Sequence, residues 1–391
     1  MGFIQQLAEA VPRAATDVIG WQTIDTLLAP LGFSSLRNVP QNVAYHGEGD
    51  VYAHTQLVCS ELVKLGDYQH LPQSEQLSLF LAALVHDVGK ARVTHLVDGR
   101  WSSPRHASVG ARMVREFLWR EAGLAGDAES QRMREIVCAF VRHHMLPGRL
   151  VERDSGIRDA RRLATLGELV PGFDWHKLCL LAEADARGRV APDVDELVER
   201  VELCRMMAEE AGCLYGPYPF ASAHTRRAYL AGRNVVPDQE LYDDTWGEVV
   251  LMSGLPGTGK DTWIKSRGAN VPVVSLDVLR EELGVAPTEP QGAVAQAAQE
   301  LARRHLRRHQ SFVWNATNLT RDMRACLVGL VEDYGARARI VYLETSWEEL
   351  LRRNANRPER EQVPRCVIER MLSRIELPTP DEARVVEWHC V

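Results

Sequence analysis

The segment Gly254-Leu-Pro-Gly-Thr-Gly259-Lys260 has the spacing GxxxxGK, follows the apolar run EVVLMS and precedes a helical pattern. Glycines at these positions let backbone N–H groups turn toward a polyphosphate. The start of the following helix adds its dipole, and Lys260 is long enough to reach the β- and γ-phosphates. Gly254, Gly257, Thr258, Gly259, Lys260, Asp261 and Thr262 are therefore the candidate ATP-binding residues. Asp261 stands where Ser or Thr usually touches Mg²⁺. Either its carboxylate meets the metal, directly or through water, or Thr262 takes that role.

Further along, VPVVSLDVLRE places Asp277 just beyond a predicted strand and Arg280 three residues later. A carboxylate at that strand end can accept the proton of an attacking hydroxyl. An arginine one helical turn away can hold a substrate phosphate through two parallel bonds. The structural alternative is a helix-capping Asp with a surface Arg. SFVWNATNLT gives another strand, ending in Asn315, Thr317 and Asn318, where Asn315 either hydrogen-bonds near the phosphates or closes a turn. LLRRNANRPER supplies Arg352, Arg353, Arg357 and Arg360. Arg353 and Arg357, four apart on one helix face, are the expected lid over the transferred charge.

A second constellation lies toward the front. His86-Asp87 closes the apolar helix of LAALVHDVGK, His54 lies upstream in VYAHTQLV, and Asp185 lies downstream in LAEADARGR. Imidazole and carboxylate ligands together suit Mn²⁺, Fe²⁺, Co²⁺ or Ni²⁺. Two of His106, His143 and His144 complete a second metal position, and paired metals activate water and clamp a phosphoryl group. His95 and His176 read as ordinary structural histidines.

These residues need elements to hold them. Helical patterns dominate up to about residue 215, at 57–65, 74–85, 107–122, 129–145, 174–186 and 193–212. The Tyr- and Pro-rich stretch 216–246 shows no clear period and reads as an ordered connector that hugs a domain. From 247 to 391, EVVLMS, VPVVSL, SFVWNA and ARIVYLE read as short buried strands. Helical segments near 259–266, 291–310, 320–334, 346–356 and 364–375 alternate with them, which implies a parallel sheet covered by helices. The expected fold is thus multidomain α and α/β: an all-helical domain over 1–215, a connector, and a phosphate-binding α/β domain over 247–391.

The 391 residues are 45% hydrophobic and 25% charged, enough for more than one buried core. From Gly247 onward the charges balance at 20 of each sign, so the whole net charge of −7 lies in front. That balance argues against a non-specific nucleic-acid coat. No apolar run is long enough to cross a membrane, and MGFIQQLAEAVPRAA has no signal-peptide pattern. Eight scattered cysteines without a CxxC pair suggest reduced thiols in a cytoplasmic protein.

The GLPGTGKD loop, the Asp277–Arg280 pair and the arginine lid resemble the polynucleotide kinase family over roughly 247–391. The resemblance implies transfer of the ATP γ-phosphate to a 5′-hydroxyl of RNA or DNA, with Mg²⁺. Asp277 is then the general base and Arg280 the substrate-phosphate ligand, with Lys260, Arg353 and Arg357 also in the catalytic set. HDVGK, RHASVGARM and VRHHMLP resemble the HD phosphohydrolase superfamily over roughly 45–215, and most of all the HD module of bacterial CCA-adding enzymes. This implies a phosphodiesterase and phosphatase acting on 2′,3′-cyclic phosphate and 2′-phosphate ends. His54, His86, Asp87, His106, His144 and Asp185 are its metal ligands, with His144 preferred over His143, and Lys90 touches substrate phosphate. The fusion resembles the bacterial HD–polynucleotide kinase proteins, which implies healing of RNA ends for a ligase. The competing readings are a nucleotidase fused to a nucleoside or sugar kinase, and an ATP-gated regulator. The retained base candidate Asp277 speaks against the last.

Overall fold

The computed structural model of the chain describes residues 2–14, 16–266, 271–285 and 289–391, with Arg360 described by its backbone alone. Two compact units emerge: Met1–Ala125 with Glu129–Tyr218, and Gly126–Ala128 with Pro219–Val391.

The first unit is helical. Its centre is the helix Gln73–Val85, whose residues are buried from Gln76 onward. The run LSLFLAALV is apolar on every face, so it is stable only when enclosed on every side. Helices Val51–Leu62 and Trp175–Arg187 pack on it and on each other. Each of these two begins on an aspartate. Asp50 accepts from the Ala53 N–H at 2.9 Å, and Asp174 accepts from Lys177 N–H at 2.8 Å, which satisfies helix-end donors that otherwise lack partners. Helices His106–Arg120, Ala128–His143 and Val194–Glu210 lie within two residues of their predicted ends. A small exposed hairpin, β1 (His95–Val97) with β2 (Arg100–Ser102), is added to the helical plan. Its turn residues Asp98 and Gly99 both have positive φ, the backbone that a two-residue Asp-Gly hairpin demands.

Gly89 sets the approach of the His86-Asp87 turn to helix His106–Arg120. A Cβ there would stand 2.1 Å from the His106 carbonyl oxygen and 2.6 Å from Gly110 N. The two segments meet backbone to backbone, and a side chain cannot be inserted between them.

The second unit holds a five-stranded parallel sheet in the order β4–β5–β3–β6–β7. The strands are β3 (Glu248–Ser253), β4 (Val273–Ser275), β5 (Val313–Asn315), β6 (Arg337–Glu344) and β7 (Val385–Cys390). Alternate residues of β3 enter opposite cores. Val249 and Leu251 pack with Ala298, Ala302 and Leu306 of helix Gly292–Arg307 and with Leu327, Val328 and Val331 of helix Arg321–Asp333. Val250 and Met252 pack with Trp263 and Ile264 of helix Lys260–Ser266. Helices therefore cover both faces, as a parallel sheet requires. The strand β7 went unread in the sequence. VVEWHC is half-buried along its whole length and shows no alternation, as befits an edge strand. The stretch 216–246 contains the helix Ala223–Leu230, capped by Ser222. Arg227 grips Glu332 through two bonds of 2.7 and 2.9 Å. No helix among the described residues is long and apolar enough to cross a membrane.

Gly89→Ala is expected to destabilise the first unit by about 1–3 kcal/mol or more, the cost of overpacking against atoms that cannot rotate away. Gly148→Ala, where a Cβ meets nothing within 4 Å, serves as the control. Comparing their unfolding midpoints checks this, and equal midpoints would remove the backbone contact as a constraint.

Candidate functional site

Six side chains from five places in the first unit converge. His54 comes from the middle of helix Val51–Leu62, and Asp185 from helix Trp175–Arg187. His106 opens helix His106–Arg120, and His144 follows the last residue of helix Ala128–His143. His86 and Asp87 lie just past the end of helix Gln73–Val85. Neighbours inside a helix diverge by about 100°. These two escape that limit because the chain turns through 86–89, which brings His86 Nε2 and Asp87 Oδ2 to 3.3 Å.

Asp87 is the hub. Its Oδ2 lies 3.8 Å from His54 Nε2, and its Oδ1 lies 3.3 Å from His106 Nε2 and 3.9 Å from His144 Nε2. His54 Nε2 is also 3.0 Å from Asp185 Oδ1. Among the described residues three groups could hold a metal; His54–His86–Asp87 and Asp87–His106–His144 share the Asp87 carboxylate, and His46–Glu48–His54 adjoins them through His54. His143, by contrast, lies against the ring of Phe173.

The tautomers are dictated from behind. Nδ1 of His86, His106 and His144 each lies 2.8 Å from a backbone carbonyl, of Ala83, Ser103 and Val141. A carbonyl only accepts, so each Nδ1 carries a proton and Nε2 is the ring atom left to face inward. For His54 the partner is different: Nδ1 sits 2.9 Å from Oε1 of Glu48. Glu48 also accepts from His46 Nδ1 and from Val190 N, both at 2.8 Å.

The electrostatics favour a cation. Burial would raise the Asp87 carboxyl, yet Lys90 and the surrounding imidazoles hold it well below the usual carboxylate range. Burial opposes Arg189 and His54 in the same way at Asp185, with the same outcome. Burial and the nearby His86 push His144 down to about 3, which favours its neutral form. His86 Nε2 and Asp87 Oδ1 are buried without a hydrogen-bond partner, as atoms meant for a metal would be. The donor set of imidazoles and carboxylates thus fits a first-row divalent ion.

Lys90 Nζ lies 2.6 Å from Asp87 Oδ2 and 2.7 Å from Gln41 Oε1, so it borders the cluster. Arg189 reaches Asp185 at 3.4 Å. The sequence reading missed Gln41, His46, Glu48 and Arg189. The only local signal was the glycine-flanked carboxylate of HGEGD, which no periodicity ties to His54.

The second unit assembles the phosphate-binding loop between β3 and helix Lys260–Ser266. Gly254, Gly257 and Gly259 all have positive φ, and a Cβ at Gly254 would stand 2.4 Å from the Leu343 carbonyl oxygen. Thr258 turns inward, its hydroxyl donating to Leu255 O at 2.9 Å, while Thr262 is exposed. Lys260 Nζ donates to the carbonyls of Gly254 and Leu255 at 3.1 and 2.8 Å. Burial pushes its pKa down to about 8, against the pull of Asp261 and Asp277 and with a further push from Arg357. Those three charges therefore act at one point.

Asp277 follows β4 as the second residue of helix Leu276–Leu283, largely exposed and paired with Arg280. Arg280 also donates to Gln291 at 2.7 Å. Arg353 borders the loop, its Nη1 3.5 Å from where a Gly259 Cβ would be, and it pairs with Glu349 at 2.6 Å. Arg357 does not share its helix face as expected. Helix Trp347–Ala355 ends before Arg357, which lies in the bend ahead of Pro358 and donates to Glu361 O at 3.1 Å. The residue before a proline is disfavoured in helical backbone. Arg352 is an exposed partner of Glu349, and the Arg360 side chain lies outside the described residues.

Comparison with known proteins follows this division. Residues 51–165 match the family model for an HD domain, and residues 249–378 match one for an AAA domain. A Multifunctional CCA protein of Alkalilimnicola ehrlichii is 31% identical over 162 residues, covering 40% of this chain and 33% of the relative. One from Stenotrophomonas maltophilia strain K279a is 31% identical over 159 residues, covering 40% and 34%. The chain thus spans about a third of the length of these curated relatives. It joins an HD domain to a P-loop, kinase-like domain.

Partners behind a metal-bound imidazole typically change metal affinity by about 10–100-fold. Glu48→Gln keeps the shape but removes the charge behind His54. It should weaken divalent-metal binding by that factor, with the unfolding midpoint of the metal-free protein little changed. Metal content after dialysis against a graded chelator series measures it, and unchanged retention would make Glu48 a loop anchor only.

Proposed function

We propose that the protein heals nucleic-acid ends, most directly RNA ends, with a different activity in each unit. The observation that carries this reading is the presence in one chain of a buried cluster of histidines and aspartates that could hold metal and of a glycine-rich GxxxxGK loop at the end of β3.

In the first unit, His54, His86 and Asp87 on one side and Asp87, His106 and His144 on the other would hold divalent metal, with Asp185 beside His54. Metals held there supply an activated water and a clamp on phosphoryl oxygens. The chain itself supplies the cationic border. Lys90 and Arg189 lie on carboxylates of the cluster and would, in this reading, meet a substrate phosphate. The substrate in this reading is a 2′,3′-cyclic phosphate or 2′-phosphate end. Support comes from the relatives named Multifunctional CCA protein, whose match is confined to 40% of this chain.

In the second unit, the loop and Lys260 hold the triphosphate of ATP, with Mg²⁺ among oxygen ligands. The 5′-hydroxyl oxygen attacks the γ-phosphorus, its proton passes to Asp277, and the bond to the β-phosphate oxygen breaks to release ADP. Arg280 holds a phosphate of the acceptor strand. Arg353 and Arg357 meet the charge of the transferred group. The products, a 5′-phosphate and a 3′ end freed of its cyclic phosphate, are what a ligase consumes. The protein so described works in the cytoplasm.

Incubation with ATP, a divalent metal and a short RNA bearing 5′-hydroxyl and 2′,3′-cyclic phosphate ends reads both activities at once. Lys260→Ala should abolish 5′ phosphorylation and spare the phosphoesterase, and Asp87→Ala should do the reverse. Loss of both activities from either folded variant would sink the two-site reading, and phosphorylation of free nucleosides in preference to RNA would favour a small-molecule kinase.

Asp277→Asn keeps a hydrogen bond but cannot take a proton. It should lower kcat by about 10²–10⁴-fold with ATP binding near normal. Arg280→Ala should mainly raise KM for the polynucleotide. A lowered Tm with unchanged kcat would reduce Asp277 to a helix-end residue.

A further inference from the structure

Two residues of the second unit depart from the usual phosphate-binding pattern, and the structure joins them. P-loop proteins ordinarily hold Mg²⁺ with a hydroxyl directly after the lysine and a carboxylate at the end of the neighbouring strand. Here β5 is hydrogen-bonded beside β3, so Asn315 occupies the strand-end position, and Asp261 occupies the hydroxyl position. Asn315 Nδ2 donates to Asp261 Oδ1 at 2.6 Å.

We infer that the cation-facing carboxylate of this nucleotide site is Asp261, supplied from the loop, and that Asn315 is its positioning residue. The inference rests on the phosphotransferase reading of the second unit. Asn315 is buried and Asp261 is exposed, so the charged member of the pair is the one open to an incoming ligand. The Asn315 bond takes one oxygen of Asp261 and leaves the other to accept a cation. The two departures also require each other. With Asp261 in place, a second carboxylate at 315 would set like charges in direct contact, and one of them would have to protonate. An amide there turns that repulsion into a hydrogen bond. Oxygen donors of this kind fit Mg²⁺.

A consequence follows for the order of binding. A fixed negative charge next to Lys260 repels the phosphates of a metal-free nucleotide and attracts those carrying a cation. Nucleotide binding is therefore gated by the metal more strongly than it would be with a hydroxyl at position 261.

The test measures Kd for ATP by calorimetry in Mg²⁺ and in EDTA, and the signal of bound Mn²⁺ by electron paramagnetic resonance with ATP present. In the native protein the ratio of the two Kd values should be large. Asp261→Asn should shrink that ratio about tenfold or more, chiefly by tightening metal-free binding, since one unit charge a few ångströms from the phosphates is worth at least that factor. It should also weaken Mn²⁺ in the nucleotide complex. The double variant Asp261→Thr with Asn315→Asp restores the ordinary arrangement. It should bind Mg²⁺–ATP more tightly than Asp261→Thr or Asn315→Asp alone. An unchanged ratio in Asp261→Asn, or a double variant no better than its parents, overturns the inference, with unfolding midpoints confirming that each variant is folded. Native protein that binds no ATP in Mg²⁺ overturns both this inference and the phosphotransferase reading. Binding of Mg²⁺–ATP without phosphorylation of any polynucleotide overturns the end-healing reading alone.

Discussion

Two carboxylates, Asp87 and Asp185, are ionised inside a helical core, 2% and 6% exposed. An unpaired buried carboxylate costs more than an entire domain's margin of stability. The first unit is arranged around that cost. Three helices each deliver one group that offsets it: His54 from one, His106 from a second, and His144 at the end of a third. Lys90 and Arg189 close the remaining sides. The enclosure of helix Gln73–Val85 follows from the same demand, because only a helix buried on all faces can deliver His86 and Asp87 to the middle of the unit.

The second unit handles charge differently. Its sheet order places the ends of β4 and β5 on the same side as the loop that follows β3. Side chains just past those ends gather outside the carboxyl edge of the sheet, the usual location for ligands in parallel α/β folds. Lys260, Asp261, Asp277 and Asn315 lie there, with Asn315 buried and the two aspartates exposed. Such a site depends on strand order and on left-handed glycines rather than on a shared buried charge.

Much of this plan was legible in the residues. Helical periods in the first unit and strand–helix alternation in the second gave the fold class, because packing preserves those periods wherever an element is amphipathic or wholly enclosed. The GxxxxGK loop and the HDVGK turn were legible because local backbone geometry demands their residue types. Illegible features depend on distance through space. Asp261 and Asn315 are 54 residues apart, and their separate oddities become one arrangement only when β5 lies beside β3. Glu48 and Arg189 sit in irregular segments with no period to mark them. The edge strand β7 lacks alternation because neither of its faces is fully covered. Helix Trp347–Ala355 lies within one residue of its expected ends, but Arg357, expected on its face, falls beyond the last turn, just before Pro358.

Three of the four imidazoles around Asp87 are oriented by main-chain carbonyls. Every residue type carries such a carbonyl, so no point substitution at Ala83, Ser103 or Val141 deletes the oriented acceptor. His54 alone depends on a side chain, at position 48. The centre therefore has one genetic dial among fixed settings. A substitution at that one position would change the basicity of one candidate ligand while the other three stay where the backbone holds them.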